Sequence, residues 1–122
     1  MADINTVLND FAYGTKQIFG AVEVEVILFG SYSRGDYDAG SDVDVAILAD
    51  IPREYEGKYT NDLVSLLSLL DEKYNYPAFI SPILISKTFF EEWNGTIPFY
   101  RNIKNDGVKI GVSRSGDRAI QA

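Results

Sequence analysis

The stretch VEVEVILFGSYSRGDYDAGSDVDVAIL, residues 22–48, decides how this chain folds. Val22, Val24 and Val26 alternate with Glu23 and Glu25, the period of a half-buried strand, so a strand is expected over Val22–Phe29. Gly30 ends it: a glycine there permits positive φ or close approach of the backbone to a ligand, and Ser31 adds a hydroxyl beside exposed N–H groups. Both suit a phosphate oxygen. The turn formers of Tyr32–Ser41 then give way to a second strand, Asp42–Leu48. Successive strand side chains point to opposite faces, so Asp42 and Asp44 share one face while Val43, Val45 and Ile47 take the other. Two carboxylates side by side repel unless a cation lies between them, and hard oxygen donors favour Mg²⁺ or Mn²⁺. Alone, a Gly-Ser pair after a strand is an ordinary turn and two aspartates opening a strand are solvated edge residues. Their combination at this spacing is what points to chemistry.

Outward from this stretch the order of elements is α/β. Apolar residues recur at helical spacing over Asp3–Phe19 despite Gly14, and Tyr59–Tyr74 carries a leucine-rich band broad enough to pack on a sheet. Residues 50–58 read as a polar connection. Ala78–Ile85 reads as a third strand, bulged or at an edge because Pro82 has no N–H. Ser86 is placed to cap a short helix through Trp93, Pro98 opens another that Gly107 ends, and Val108–Val112 reads as a last strand. One domain over residues 1–112 and a polar tail over 113–122, with little to bury, are therefore expected. Phe89, Phe90, Trp93, Phe99 and Tyr100 form an aromatic cluster whose ordinary role is packing, with base stacking as the alternative.

At 122 residues the chain holds one modest core, and substrate contacts beyond it would come from a partner or an oligomer. It contains no Cys and no His, which excludes disulfides, thiolate nucleophiles, His-based serine triads and His- or Cys-ligated zinc. Carboxylate-bound metal remains. Residues 1–100 carry a charge balance of −10 and residues 101–122 one of +3. Non-specific nucleic-acid binding is not expected on so acidic a surface. Arg101, Lys104 and Lys109 either face a triphosphate or an acidic partner, or complement a helix end. No leader pattern or 18-residue apolar run is present, so no membrane association and a cytoplasmic location are expected.

GSYSRGDYDAGSDVDVAIL, residues 30–48, resembles the signature of the minimal nucleotidyltransferases of the DNA polymerase beta superfamily. In that family a Gly-Ser turn is followed by Asp-x-Asp on the next strand. Arg34-Gly35 and Ser41-Asp42 match its Arg-Gly and Ser-Asp pairs, and PFYRNIKNDGVKI, residues 98–110, is similar to the tail of these short chains. The resemblance implies a small mixed sheet with helices packed on it, the polymerase-beta-like nucleotidyltransferase core. It implies transfer of a nucleoside monophosphate, AMP from ATP, to a hydroxyl, with Asp42 and Asp44 as catalytic metal ligands for Mg²⁺ or Mn²⁺. Gly30, Ser31, Arg34 and Ser41 would hold the nucleoside triphosphate. For chains this short it further implies an antitoxin whose acceptor is a tyrosine of a HEPN toxin, an all-helical ribonuclease. One departure stands out: the superfamily places a third carboxylate on the following strand, and AFISPILI, residues 78–85, has none, with Ser81 at the position expected for it. A non-catalytic antitoxin or nucleotide-binding module, and a metal-binding domain without nucleotide, therefore stay as alternatives.

Overall fold

A computed structural model describes residues 4–35, 42–75, 80–111 and 120–121. Helix α1 (Ile4–Phe19) precedes strand β1 (Val24–Phe29), the single-turn helix α2 (Ser31–Arg34) and strand β2 (Val43–Ala49). A 3-10 helix (Arg53–Tyr59) leads into α3 (Thr60–Tyr74), followed by β3 (Ile80–Ser86), α4 (Lys87–Trp93), α5 (Pro98–Asp106), β4 (Val108–Ile110) and β5 (Ile120–Gln121).

The five strands form one mixed sheet in the order β3-β2-β1-β4-β5. β1 pairs antiparallel with both β2 and β4, and β2 pairs parallel with β3 across the α3 crossover. Alternation sorts the strand side chains between two cores. Val24, Val26 and Leu28 of β1 join Val43, Val45, Ile47 and Ala49 of β2 beneath α1 and α3, with Leu8, Phe11, Leu63 and Leu70. Ile27, Phe29, Ala46 and Leu48 face the other way, beneath α4 and α5, with Phe90 and Ile103. Central strands covered on both faces are apolar almost throughout, which is why only Glu25 and Asp44 interrupt them. Glu25 is neutralised by Lys109 at 3.5 Å and Lys87 at 3.8 Å.

The mixed α/β fold expected from the sequence is the one found, with local corrections. β1 begins at Val24, opposite Ala49, since the Val22 N–H is held in the turn that leaves α1, where it donates to the Phe19 carbonyl at 3.1 Å. Gly14 stands against Leu66 of α3, where a Cβ would lie 2.5 Å from Leu66 Cδ1, so the glycine lets α1 and α3 approach. The two helices are also tied by Asp10, which accepts hydrogen bonds from Tyr74 and, at 3.0 Å, from Lys73. β3 is the sheet edge, and its register with β2 runs unbroken through Pro82, so the proline marks an edge without a bulge. Ser86 does not cap α4: its buried hydroxyl donates to the Ile51 carbonyl at 2.8 Å, and its N–H donates to Glu56 Oε2 at 2.8 Å. Within residues 113–122, Ile120–Gln121 adds an outer strand beside β4, and the rest of that segment lies outside the described residues. Among the described residues no helix is long and apolar enough to cross a membrane.

Candidate active site

The site forms at the end of the sheet where β1 stops and β2 and β3 begin. Gly30 adopts φ 77° and ψ −154°, a conformation essentially restricted to glycine. From there the chain coils immediately into α2. The Gly30 carbonyl accepts from the Ser33 and Arg34 N–H groups, each at 3.1 Å, and from the Ser33 hydroxyl at 2.9 Å. Gly35, at φ 81°, closes the turn by donating to the Ser31 carbonyl. Ser31 thus opens a helical turn, the end at which backbone N–H groups lack intrahelical acceptors.

Asp44 packs directly against this turn. The ladder pairs it with Phe29 on one side and with Ser81 on the other. A Cβ placed on Gly30 would lie 2.5 Å from Asp44 Oδ2, so the absent side chain is the space the carboxylate occupies. Asp44 is half-buried, and Asp42, two residues earlier, is exposed. Burial and then the nearby negative charge of Asp42 raise the Asp44 pKa above its ordinary value, while the Arg34 guanidinium pulls it down. Asp42 is therefore close enough to disfavour ionisation of Asp44.

Arg34 leaves α2 toward α5, where it pairs with Asp106 at 3.5 Å. Ser41 lies outside the described residues. The three basic groups near the C-terminal end are engaged elsewhere: Arg101 donates to the Gly95 carbonyl, Lys104 to Asn94 Oδ1, and Lys109 pairs with Glu25. Among the described residues no cluster of three or more acidic side chains is present, so the Asp42–Asp44 pair has no third carboxylate there. Ser81, exposed beside Asp44, takes that position.

A half-buried carboxylate destabilised by a neighbouring one, with the glycine opposite cut away to admit it, fits a hard divalent cation. The nucleotidyltransferase domain model matches residues 8–108. The chain belongs to that family. Its similarity extends to three proteins of Methanocaldococcus jannaschii, each named "Putative protein adenylyltransferase". One is 35% identical over 109 residues, covering 88% of this chain and 99% of the relative. A second is 38% identical over 85 residues, covering 67% of this chain and 54% of the relative. The third is 31% identical over 103 residues, covering 82% and 90%.

Gly30, Ser31, Asp42 and Asp44 are the candidates the sequence offered, and the structure adds the placement of α5 beside them. Phe99 stands edge-on against Phe29, with ring centroids 5.6 Å apart, and Asp106 holds Arg34. Phe99 and Asp106, seven residues apart, lie on one side of the helix, but that spacing does not say what the side faces.

Proposed function

We infer that this nucleotidyltransferase-family chain transfers AMP from ATP to a hydroxyl of a protein partner. The observation that carries the reading is the Asp44 carboxylate seated in the space a Gly30 side chain would fill, next to Asp42 and the α2 turn. The family match supports nucleotidyl transfer, and the shared name of the relatives supports an adenylyl group and a protein acceptor. Resemblance to the minimal nucleotidyltransferases supports a tyrosine of a HEPN-class ribonuclease as that acceptor, and an antitoxin role.

In the proposed reaction the acceptor oxygen bonds to the α-phosphorus as the bond to the bridging oxygen breaks, and pyrophosphate leaves. Asp42 and Asp44 would hold Mg²⁺ or Mn²⁺, which when bound supplies Lewis-acid activation of the acceptor hydroxyl and neutralisation of phosphate charge. Gly30 and Ser31 position the triphosphate at the N-terminus of α2. Arg34, held by Asp106, keeps positive charge beside the turn. Ser81 is a poor base at neutral pH, so the acceptor's proton passes to water or to a group of the partner.

The test is incubation of the chain with the co-purifying partner, labelled ATP and Mg²⁺ or Mn²⁺. Label is expected on the partner with the wild type and is expected to be lost with Asp44→Asn. No label under any metal would defeat the transferase reading. The serine beside Asp44 favours a second reading, inhibition by occlusion without transfer. Under it, Asp42→Asn and Asp44→Asn leave inhibition of the partner intact.

A further inference from the structure

We propose that Phe99 is the platform on which the base of the bound nucleotide stacks. The inference rests on the nucleotidyl-transfer reading and assigns a part of the nucleotide that neither the carboxylate pair nor the Gly-Ser turn addresses.

Three aromatic side chains among the described residues are markedly exposed: Tyr55, Trp93 and Phe99. Tyr55 belongs to the 3-10 helix that follows the far end of β2 from Asp44. Trp93 leans on Phe89, whose ring in turn carries the Arg53 guanidinium at 4.1 Å, and Arg53 belongs to that same helix. Phe99 alone of the three contacts the site end of the sheet. It touches Phe29, the residue immediately before Gly30 and the ladder partner of Asp44. Cross-strand partners share a face, so Phe29 and Asp44 project to the side on which α5 lies.

A second contact fixes the helix alongside the turn. Asp106, two helical turns beyond Phe99 and on the same side of α5, pairs with Arg34 at the end of α2. Helix α5 therefore borders the whole segment from Phe29 to Arg34. Phe99 remains 42% exposed although Phe29 beneath it is buried. Its ring meets Phe29 at 81°, edge to face, and contacts Tyr100 at a tilt. An aromatic held in place by Phe29 and Tyr100 yet 42% exposed, beside the turn that opens at Gly30, is a sequence-tolerant surface for a nucleobase.

The experiment measures binding of ATP and of inorganic tripolyphosphate, each with Mg²⁺, to the full chain carrying Phe99→Leu or Phe99→Tyr. Leucine keeps apolar contact with Phe29 but has no π face; tyrosine keeps both. Phe99→Leu is expected to weaken ATP by about 5- to 100-fold, the usual range for loss of one stacked base. Tripolyphosphate should bind within about twofold of wild type, and Phe99→Tyr should hold ATP within about threefold. A purely structural role would weaken both ligands alike, and that result overturns the proposal, as does unchanged ATP affinity in Phe99→Leu. If the wild type binds neither ligand, the nucleotidyl-transfer reading falls and this proposal with it. If both bind and only the selective loss is missing, the proposal alone falls.

Discussion

Replacing Gly30 with alanine tests the structural core of the site. Alanine at φ 77° and ψ −154° incurs backbone strain of about 1–3 kcal/mol. Its methyl would also meet Asp44 Oδ2 at 2.5 Å, Cγ at 3.3 Å and Cβ at 3.4 Å, so the carboxylate must leave its rotamer, adding about 0.5–1.5 kcal/mol. The sum, about 1.5–4.5 kcal/mol, corresponds to a fall in Tm of about 6–18 °C for a domain of this size. Urea denaturation of the wild type, Gly30→Ala, Asp44→Ala and the double variant closes a cycle that separates the two contributions. Removing the Asp44 side chain should recover about 0.5–1.5 kcal/mol in the alanine background, leaving the backbone strain. A Gly30→Ala cost below about 0.5 kcal/mol would refute the strain, and additivity within about 0.3 kcal/mol would refute the contact.

Other expectations follow from the charges and buried groups. The Asp44 pKa is raised by folding, so its contribution to stability is complete below the ordinary carboxylate value of 3.8 and is lost as pH rises through the folded value. Metal-free Asp44→Asn, which does not titrate, should exceed the wild type at pH 7 by a few tenths to about 1 kcal/mol, and thermal melts should show the advantage vanishing toward pH 4. Ser81→Asp places a third carboxylate beside Asp44; calorimetry should find Mg²⁺ bound about tenfold more tightly, with the metal-free chain less stable by about 0.5–1 kcal/mol. The Thr15 hydroxyl is fully buried and has no hydrogen-bond partner among the described residues, so Thr15→Val should stabilise by about 1 kcal/mol in denaturant titration.

The two central strands and the face shared by Asp42 and Asp44 were legible because alternation decides which way strand side chains point. Ser81 was expected at its position only from the resemblance, and the parallel pairing of β2 with β3 sets it beside Asp44. Ser86 was misread as a cap because its position before a helix said nothing of Ile51, 35 residues earlier, whose carbonyl receives its hydroxyl. The role of α5 was hidden for the same reason. Nothing local to residues 98–106 tells that this helix lies beside Phe29 and Arg34, since that proximity depends on β4 pairing with β1. Gly30 announced a turn, but that its missing Cβ is the seat of a carboxylate 14 positions later required the strand register.

Pro82 sits midway along a strand whose outer side has no neighbouring strand among the described residues. A bare strand invites docking by copies of itself, and proline removes one of the donors such polymerisation needs. The edge that runs beside Asp44 can thus stay uncovered without becoming a nucleus for filaments.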